Sequence, residues 1–351
     1  MENLPNIFES EKKISSIIKN DEILSYDYLP KILPYREGLI QEIAFSIKPL
    51  LSNQRGTNLF VYGAPGIGKT ASIKWVLREL KDTTDDVVPI YVNCWNLKSK
   101  YFIFSDIANQ LKITFTQGKS AEHVLQHVVA KVKDMPVAFV FDEVDKIDDS
   151  EFLYQVVSLF PRSCIILVSN SMEYVTKIEL RIKSRLMLKN IEFKPYSINE
   201  LFGILKERSK LALKPEAIDP SLIKQIANVT YTKGDVRVGL HLLREAAKTA
   251  ESHSKKLIDK DAVAEAIRQL ESPKIVDEDK LSTDESKILE AVKERDGAIA
   301  GDIFEIYAKK GGTFSYRTFK RYLNRMEKLG FLKLESTTSG FKGKSTIISL
   351  S

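Results

Sequence analysis

The sequence predicts an α/β protein: a parallel sheet around a phosphate-binding loop, then an all-helical block, then a small helical domain carrying a β-hairpin. Three observations lead there. Residues 63–70, GAPGIGKT, fit G-x-x-x-x-G-K-[ST] at every fixed position. Short apolar runs alternate with helical periodicity up to about residue 195, and then only helical periodicity continues. Residues 281–351 carry a separate pattern of three helices and two short strands.

The phosphate-loop motif needs a strand before it and a helix after it, and both flanks fit. Asn58–Tyr62 reads as a buried strand, and Lys69–Leu80 as an amphipathic helix with Ile73, Val76, Leu77 and Leu80 on one face. Gly63, Gly66 and Gly68 open backbone angles closed to other residues. Ala64, Pro65 and Ile67 complete the loop, and Ala71 lies in the first turn of the helix. The N–H groups of such a loop point inward, at the positive end of the following helix. Lys69 is therefore expected on β- and γ-phosphates, with the Thr70 hydroxyl on Mg²⁺.

Taken in order, residues 1–20 read as a polar arm, and residues 21–195 as the nucleotide-binding domain. Within it, 28–38 is Pro-rich and irregular, and 39–51 is helical. A second strand covers 87–92, and two helical patterns cover 101–111 and 120–132. Val137–Asp142, VAFVFD, is an apolar strand ending in an acid. Asp142 suits ordering of a Mg²⁺ shell, and Glu143 suits polarisation of an attacking water. Ser163–Ser169 is a fourth strand. Asn170 at its end lies either in the ligand crevice of a parallel sheet or in a helix cap, and both readings stand. Residues 178–188 carry Arg181, Lys183 and Arg185, and 191–193 is a short fifth strand.

Residues 196–272 form the helical block, with N-cap candidates at Ser197, Asp219, Asp235 and Asp259. Arg237 falls just inside one helix start. Residues 271–282 lack periodicity and read as a linker.

The pattern of the last block matches a winged helix-turn-helix. Its third helix, 315–329, divides by face. Phe319, Tyr322, Leu323, Met326 and Leu329 point to the core; Arg317, Lys320, Arg321, Asn324, Arg325 and Lys328 line the other side. Lys342 and Lys344 add charge to the wing. Such cations with an Asn suit contacts to phosphates and base edges of double-stranded DNA. Arg321 and Arg325, one turn apart, are expected to be removable without disturbing the core.

At 351 residues and a net charge of +6, the chain permits nucleic-acid binding without establishing it. Cys94 and Cys164 fall in predicted strands and read as core thiols in a reducing compartment. No apolar run reaches membrane-spanning length, and no apolar signal segment opens the sequence, so a cytoplasmic protein is expected. His123 and His127 stand four apart on a predicted helix, but no third metal ligand has a useful spacing.

Together these motifs resemble the archaeal origin-recognition and replication-initiation family of AAA+ ATPases, over nearly the whole chain. The marks run in order: PYREG at Pro34, GAPGIGKT, YVNCWN at Tyr91, FVFDEVD at Phe139, LVSN at Leu167, RIKSRL at Arg181, F-x-PY at Phe193, GDVR at Gly234 and the terminal winged helix. The resemblance implies ATP or ADP with Mg²⁺ as cofactors and a slow ATPase used as a switch. It makes Asn170 a first sensor near the attacking water and Arg237 a second sensor from the lid. It makes Arg181 or Arg185 a finger for a neighbouring subunit, and Tyr35 and Arg36 part of the adenine-side wall. It places a DNA-touching insertion at about 115–128. The implied partners are origin DNA, the replicative helicase and paralogous initiator subunits, in the nucleoid of the cytoplasm. Val238 stands where the family commonly has a second cation. A helicase or clamp-loader-like motor and a winged-helix signalling or transcriptional ATPase are the alternatives.

Overall fold

The computed structural model describes residues 16–95, 97, 99–114, 118–147, 149–271, 282–328, 331–337 and 345–350. The chain divides into two compact units, Met1–Val263 and Ala264–Ser351. The division falls inside a helix, Lys260–Glu271, rather than in the expected linker, of which 272–281 lies outside the described residues.

The first unit is built on five parallel strands: β1 (Leu59–Tyr62), β2 (Val88–Asn93), β3 (Val137–Asp142), β4 (Ser163–Ser169) and β5 (Lys189–Glu192), in the order β2-β3-β4-β1-β5. Every residue of β3 and β4 is buried, as expected of strands covered on both faces. Alternate side chains supply two cores. Phe60, Phe139, Phe141, Ile165 and Leu167 meet one set of helices: α3 (Lys100–Gln110), α4 (Ala121–Val132), α5 (Glu151–Leu159), α6 (Glu173–Lys177) and α7 (Leu180–Leu186). Leu59, Val61, Val140, Ile166 and Val168 meet α1 (Glu37–Ile47) and α2 (Lys69–Thr83). The burial of both cysteines agrees with the core-thiol reading, and burial pushes the Cys164 thiol up to about 12.

Two elements depart from expectation. Helix α5 was not anticipated; Phe152, Leu153 and Val156 bury its inner stripe, and the Asp149 carboxylate accepts from Glu151 N at 2.8 Å. Residues 178–188, expected as one cationic stretch, are reached through α6 and enter α7 after a break at buried Ile178.

The lid helices are α8 (Ile198–Ala212), α9 (Pro220–Lys233), α10 (Val236–Ser252) and α11 (Lys260–Glu271). The predicted caps form: Ser197 and Glu200 make a reciprocal capping box, and Asp219 and Asp235 accept from Ser221 N and Arg237 N. The described part of the expected N-terminal arm lies on these helices. Lys19 N donates to Ala212 O at 2.8 Å and Lys214 N to Ile17 O at 3.0 Å. One oxygen of Glu251 accepts from Ser16 Oγ, Ile17 N and Ile18 N, and Arg244 pairs with Asp21.

The second unit contains α12 (Thr283–Glu294), α13 (Ala300–Lys309), α14 (Tyr316–Lys328) and an antiparallel sheet of β6 (Ala298–Ile299), β7 (Leu332–Thr337) and β8 (Ser345–Leu350), in the order β6-β8-β7. Ile288, Val292, Ile303, Tyr307, Phe319, Leu323, Met326 and Ile348 form its own core. The expected hairpin thus gains a short third strand. Among the described residues, no helix in the chain is long and apolar enough to cross a membrane.

Glu251→Ala should release the N-terminal segment locally. Two backbone N–H groups, one of them on fully buried Ile17, lose their acceptor, at a cost of about 1–3 kcal/mol. Hydrogen exchange at Ile17 and Ile18 should then quicken while the sheet amides keep their protection. Unchanged exchange would show that the segment docks without this carboxylate.

Candidate nucleotide-binding site

The carboxyl ends of β1, β4 and β3, adjacent in that order, bring the predicted acidic and polar residues together. Lys69, the first residue of α2, is buried. Its Nζ donates to Gly63 O (2.7 Å), Ala64 O (2.8 Å) and Asn170 Oδ1 (2.9 Å). Asn170 Nδ2 in turn donates to Glu143 Oε2 at 2.7 Å. Both ends of the Asn170 amide therefore face this cluster rather than cap a helix. Glu143 has a left-handed backbone, φ 55°, which turns the chain directly after β3; such non-glycine conformations gather at functional sites. Burial lowers the Lys69 pKa, against the opposing effect of Glu143, Asp142 and Asp145.

Thr70 Oγ1 donates to Asp142 Oδ2 at 2.7 Å. A hydroxyl and a carboxylate side by side fit Mg²⁺, which takes one or two carboxylates and keeps several waters. Tyr91 Oη also donates to Asp142 Oδ2, at 2.7 Å. Burial and Asp142 raise the phenol's pKa, so Tyr91 remains a donor. Tyr91 opens the YVNCWN mark, but the sequence assigns its side chain no role; it stands in the second strand, whose register against β3 places Asn93 beside Asp142.

The loop itself is gripped from outside. Val236 N, at the start of α10, donates to Gly66 O at 3.1 Å. Gly66 has φ +68°, and a Cβ there would lie 1.9 Å from Asp235 Oδ1. At Gly68, φ +93°, a Cβ would lie 2.8 Å from the Tyr196 hydroxyl. These glycines serve close approach as well as conformation. Ala64, Pro65 and Ala71 complete the loop and the first turn of α2. Ile67 is buried, and its carbonyl receives Arg36 Nη2 (3.0 Å) and Nε (3.3 Å).

Arg36 also donates to Lys194 O at 2.8 Å and stacks over Tyr196 at 3.7 Å from the ring centre. Its guanidinium is buried behind the loop, spent on carbonyls. It supports the phosphate loop rather than lining an open wall. Tyr35, with φ 66°, is the exposed member of the pair, and a Cβ at Gly203 of α8 would lie 2.1 Å from its hydroxyl.

Arg237 extends from the first turn of α10. Its Nε donates to both oxygens of Asp235 at 2.9 Å, and Nη2 to Oδ2 at 2.6 Å. This pairing raises its pKa. Asp235 thus caps α10, holds Arg237 and lies against the phosphate loop. Arg181 and Arg185 lie outside this cluster, with both guanidinium groups over the Tyr154 ring. Arg181 bonds Glu179 and Glu151 (2.7 and 2.5 Å), and Arg185 bonds Ser158 (3.2 Å).

In the second unit, Arg317, Lys320, Arg321, Asn324 and Arg325 are exposed along α14. Lys342, Lys344 and the side chain of Lys328 lie outside the described residues, as do 115–117 of the expected insertion. Arg325 is not free of the core, because its Nε lies 3.4 Å from Oε1 of buried Glu285. Removing it leaves a buried carboxylate without its cation. Tyr322, expected in the core, is only partly buried and stacks on Phe314.

Comparison with known proteins places this geometry. Residues 202–268 match the Cdc6 AAA+ ATPase-type lid domain, and residues 52–169 match an AAA domain. An ORC1-type DNA replication protein 1 of Methanothermobacter thermautotrophicus is 29% identical over 367 residues, covering 98% of this chain and 96% of its own. Its counterpart in Archaeoglobus fulgidus is 27% identical over 366 residues, covering 97% and 89%. The structure of the Aeropyrum pernix ORC1 protein in complex with DNA superposes with a TM-score of 0.83 at 26% identity, covering 95% of this chain and 94% of that one.

Asp235→Asn keeps a good N-cap but removes the charge that occupies Arg237 and faces the loop. ATP affinity should rise roughly fivefold, about 1 kcal/mol for a half-exposed pair. Isothermal titration checks this, and a fall in affinity would mean that Asp235 supports the bound state.

Proposed function

We propose, the chain being a member of the archaeal Orc1/Cdc6 family of AAA+ ATPases, that it is an ATP-controlled DNA-binding initiator of chromosomal replication that helps recruit the replicative helicase. The observation carrying this reading is the full-length correspondence with ORC1-type replication proteins, joined to a nucleotide site whose loop, strand-end acids and lid arginine are in one cluster. Footprinting on chromosomal DNA tests it: protected repeats at replication origins support it, and protected promoters would favour a transcriptional ATPase.

In the proposed chemistry, Lys69 and the loop N–H groups bind the β- and γ-phosphates of ATP. Thr70 and Asp142 would hold Mg²⁺, which when bound supplies charge neutralisation at the transferring phosphoryl group. Glu143 polarises the attacking water, and Asn170 holds Glu143 and Lys69 in register. Arg237 reports the γ-phosphate from the lid. Arg181 or Arg185 reaches a neighbouring subunit's nucleotide, and the paralogous subunit is the expected neighbour. Turnover is slow and serves as a switch. Helix α14 and the wing, with Lys342 and Lys344, hold duplex DNA.

Lys69→Ala should abolish most ATP affinity, since three carbonyl oxygens lose their cation and the phosphates lose theirs. Glu143→Gln should retain binding and suppress hydrolysis by about a hundredfold or more, read by single-turnover phosphate release. Normal hydrolysis in the glutamine variant would remove Glu143 from its role.

Arg321→Ala should weaken binding to origin and random duplexes alike and lower the salt slope by about one unit. The fold should be untouched, because Arg321 is exposed and lies over the Tyr322 ring. Unchanged affinity and slope would exclude this position from the interface.

A further inference from the structure

Glu285 is the third residue of α12 and has almost no exposed surface: 3% of its side chain reaches solvent. One carboxylate oxygen is fully used. Ser282 N and Ser282 Oγ donate to Oε2 at 2.9 and 2.8 Å, closing a capping box. The other oxygen, Oε1, is buried and receives no hydrogen bond. Capping needs a single acceptor oxygen, and Gln serves the third position of a capping box as well as Glu does. The cap therefore explains neither the second oxygen nor the buried charge.

What faces Oε1 is Arg325 of α14, with Nε at 3.4 Å. Arg325 belongs to both sides of the domain: its side chain remains 60% exposed although its partner is buried. A guanidinium has five donors in a rigid fork. With Nε turned inward to Glu285, the two terminal nitrogens are left toward solvent. A second support is Tyr322, whose ring lies 5.5 Å from Arg321 Cζ and 5.7 Å from Arg325 Cζ and is itself stacked on Phe314 at 4.4 Å. Among the described residues, Arg317, Lys320 and Arg321 on the same helix have no carboxylate within ion-pair distance.

We propose that Glu285 is a positioning residue for DNA binding: its buried carboxylate fixes Arg325 by Nε and so presents the terminal fork of Arg325 to a backbone phosphate. Arg325 stands near the C-terminal end of α14, away from the N-terminal residues that in helix-turn-helix domains meet base edges. A phosphate oxygen pair suits a fork held in one plane. The inference rests on the reading of α14 as a DNA-binding helix.

The sign of one substitution separates positioning from plain charge. Glu285→Gln keeps the size, the capping oxygen and the fold, and makes the domain one charge more positive. Long-range electrostatics alone then predicts tighter DNA binding. Positioning predicts the reverse, a loss of about three- to tenfold from an arginine that must be ordered on binding. The full chain with ATP is titrated against a random-sequence duplex by fluorescence anisotropy, with circular dichroism melts as a fold check. Glu285→Gln should bind more weakly, and in an Arg325→Ala background the same change should bind equally or more tightly. Arg325→Lys, which has no Nε fork, should behave like Arg325→Ala in this cycle. Tighter or unchanged binding by Glu285→Gln alone overturns the inference, and so does a loss that persists without Arg325. If Arg321→Ala weakens binding while the Glu285 and Arg325 variants do not, the DNA-binding helix stands and only its positioning residue is wrong. If none of these variants changes binding, the assignment of α14 to DNA is itself overturned.

Discussion

The ammonium of Lys69 is held by oxygens from two places: two loop carbonyls and the Asn170 amide. That arrangement exists because β4 lies between β1 and β3 with all three parallel. The residue after β4 is then within reach of the loop after β1 on one side and of the acids after β3 on the other. Asn170 spans the gap, and its neutral amide presents an oxygen to a cation and a nitrogen to a carboxylate. An acid there would repel Glu143, and a lysine would repel Lys69. The chemistry of the site is thus set by strand order and register before any ligand arrives.

The phosphate loop is also not self-supporting. Its outer surface is packed and bonded elsewhere: Ile67 O to Arg36, Gly66 O to Val236 N, and Gly68 against Tyr196. Tyr196 and Arg36 stack where the chain leaves the sheet for the lid. Arg36 follows the N-terminal segment, which is itself bonded to lid helices α8 and α10 through Ala212, Arg208, Arg244 and Glu251. Loop, N-terminal segment and lid therefore share one set of contacts.

Much of this was legible in the sequence because it depends on local rules. The loop, its strand and its helix follow from glycine spacing and apolar periodicity, and the lid caps at Ser197, Asp219 and Asp235 from single side chains beside their own helices. What was not legible depends on tertiary approach. Tyr91 looks like an ordinary strand residue until β2 is placed against β3. Arg36 reads as a ligand-side residue until the loop is seen to lie over it. Glu285 was not singled out in the sequence: its capping box with Ser282 is local, but its approach to Arg325 depends on how α14 packs in the domain. Helix α5 escaped because its nine residues, EFLYQVVSL, mix helical and strand-like apolar spacing, a case that periodicity alone does not separate.

In the proposed switch the magnitudes constrain how the lid can work. Moving an equilibrium from 1:99 to 99:1 requires about 5.5 kcal/mol of differential binding. A hydrogen bond to a charged group contributes about 1.5–3 kcal/mol, and the Arg237 contact would first have to displace Asp235, which reduces its share. Arg237 alone therefore biases the lid without fixing it. The remaining difference must come from groups that meet the same phosphates by way of the loop. The N-terminus of α10, bonded to Gly66 O, is the nearest of these, and its partial positive charge favours an anion in the loop by a further ~0.3–1 kcal/mol. The sum stays below what a complete switch needs, so a single nucleotide in a single chain shifts the population only partly. In the proposed switch, a neighbouring subunit's arginine closing on the same γ-phosphate would supply the rest, so that subunit assembly would be part of the switch.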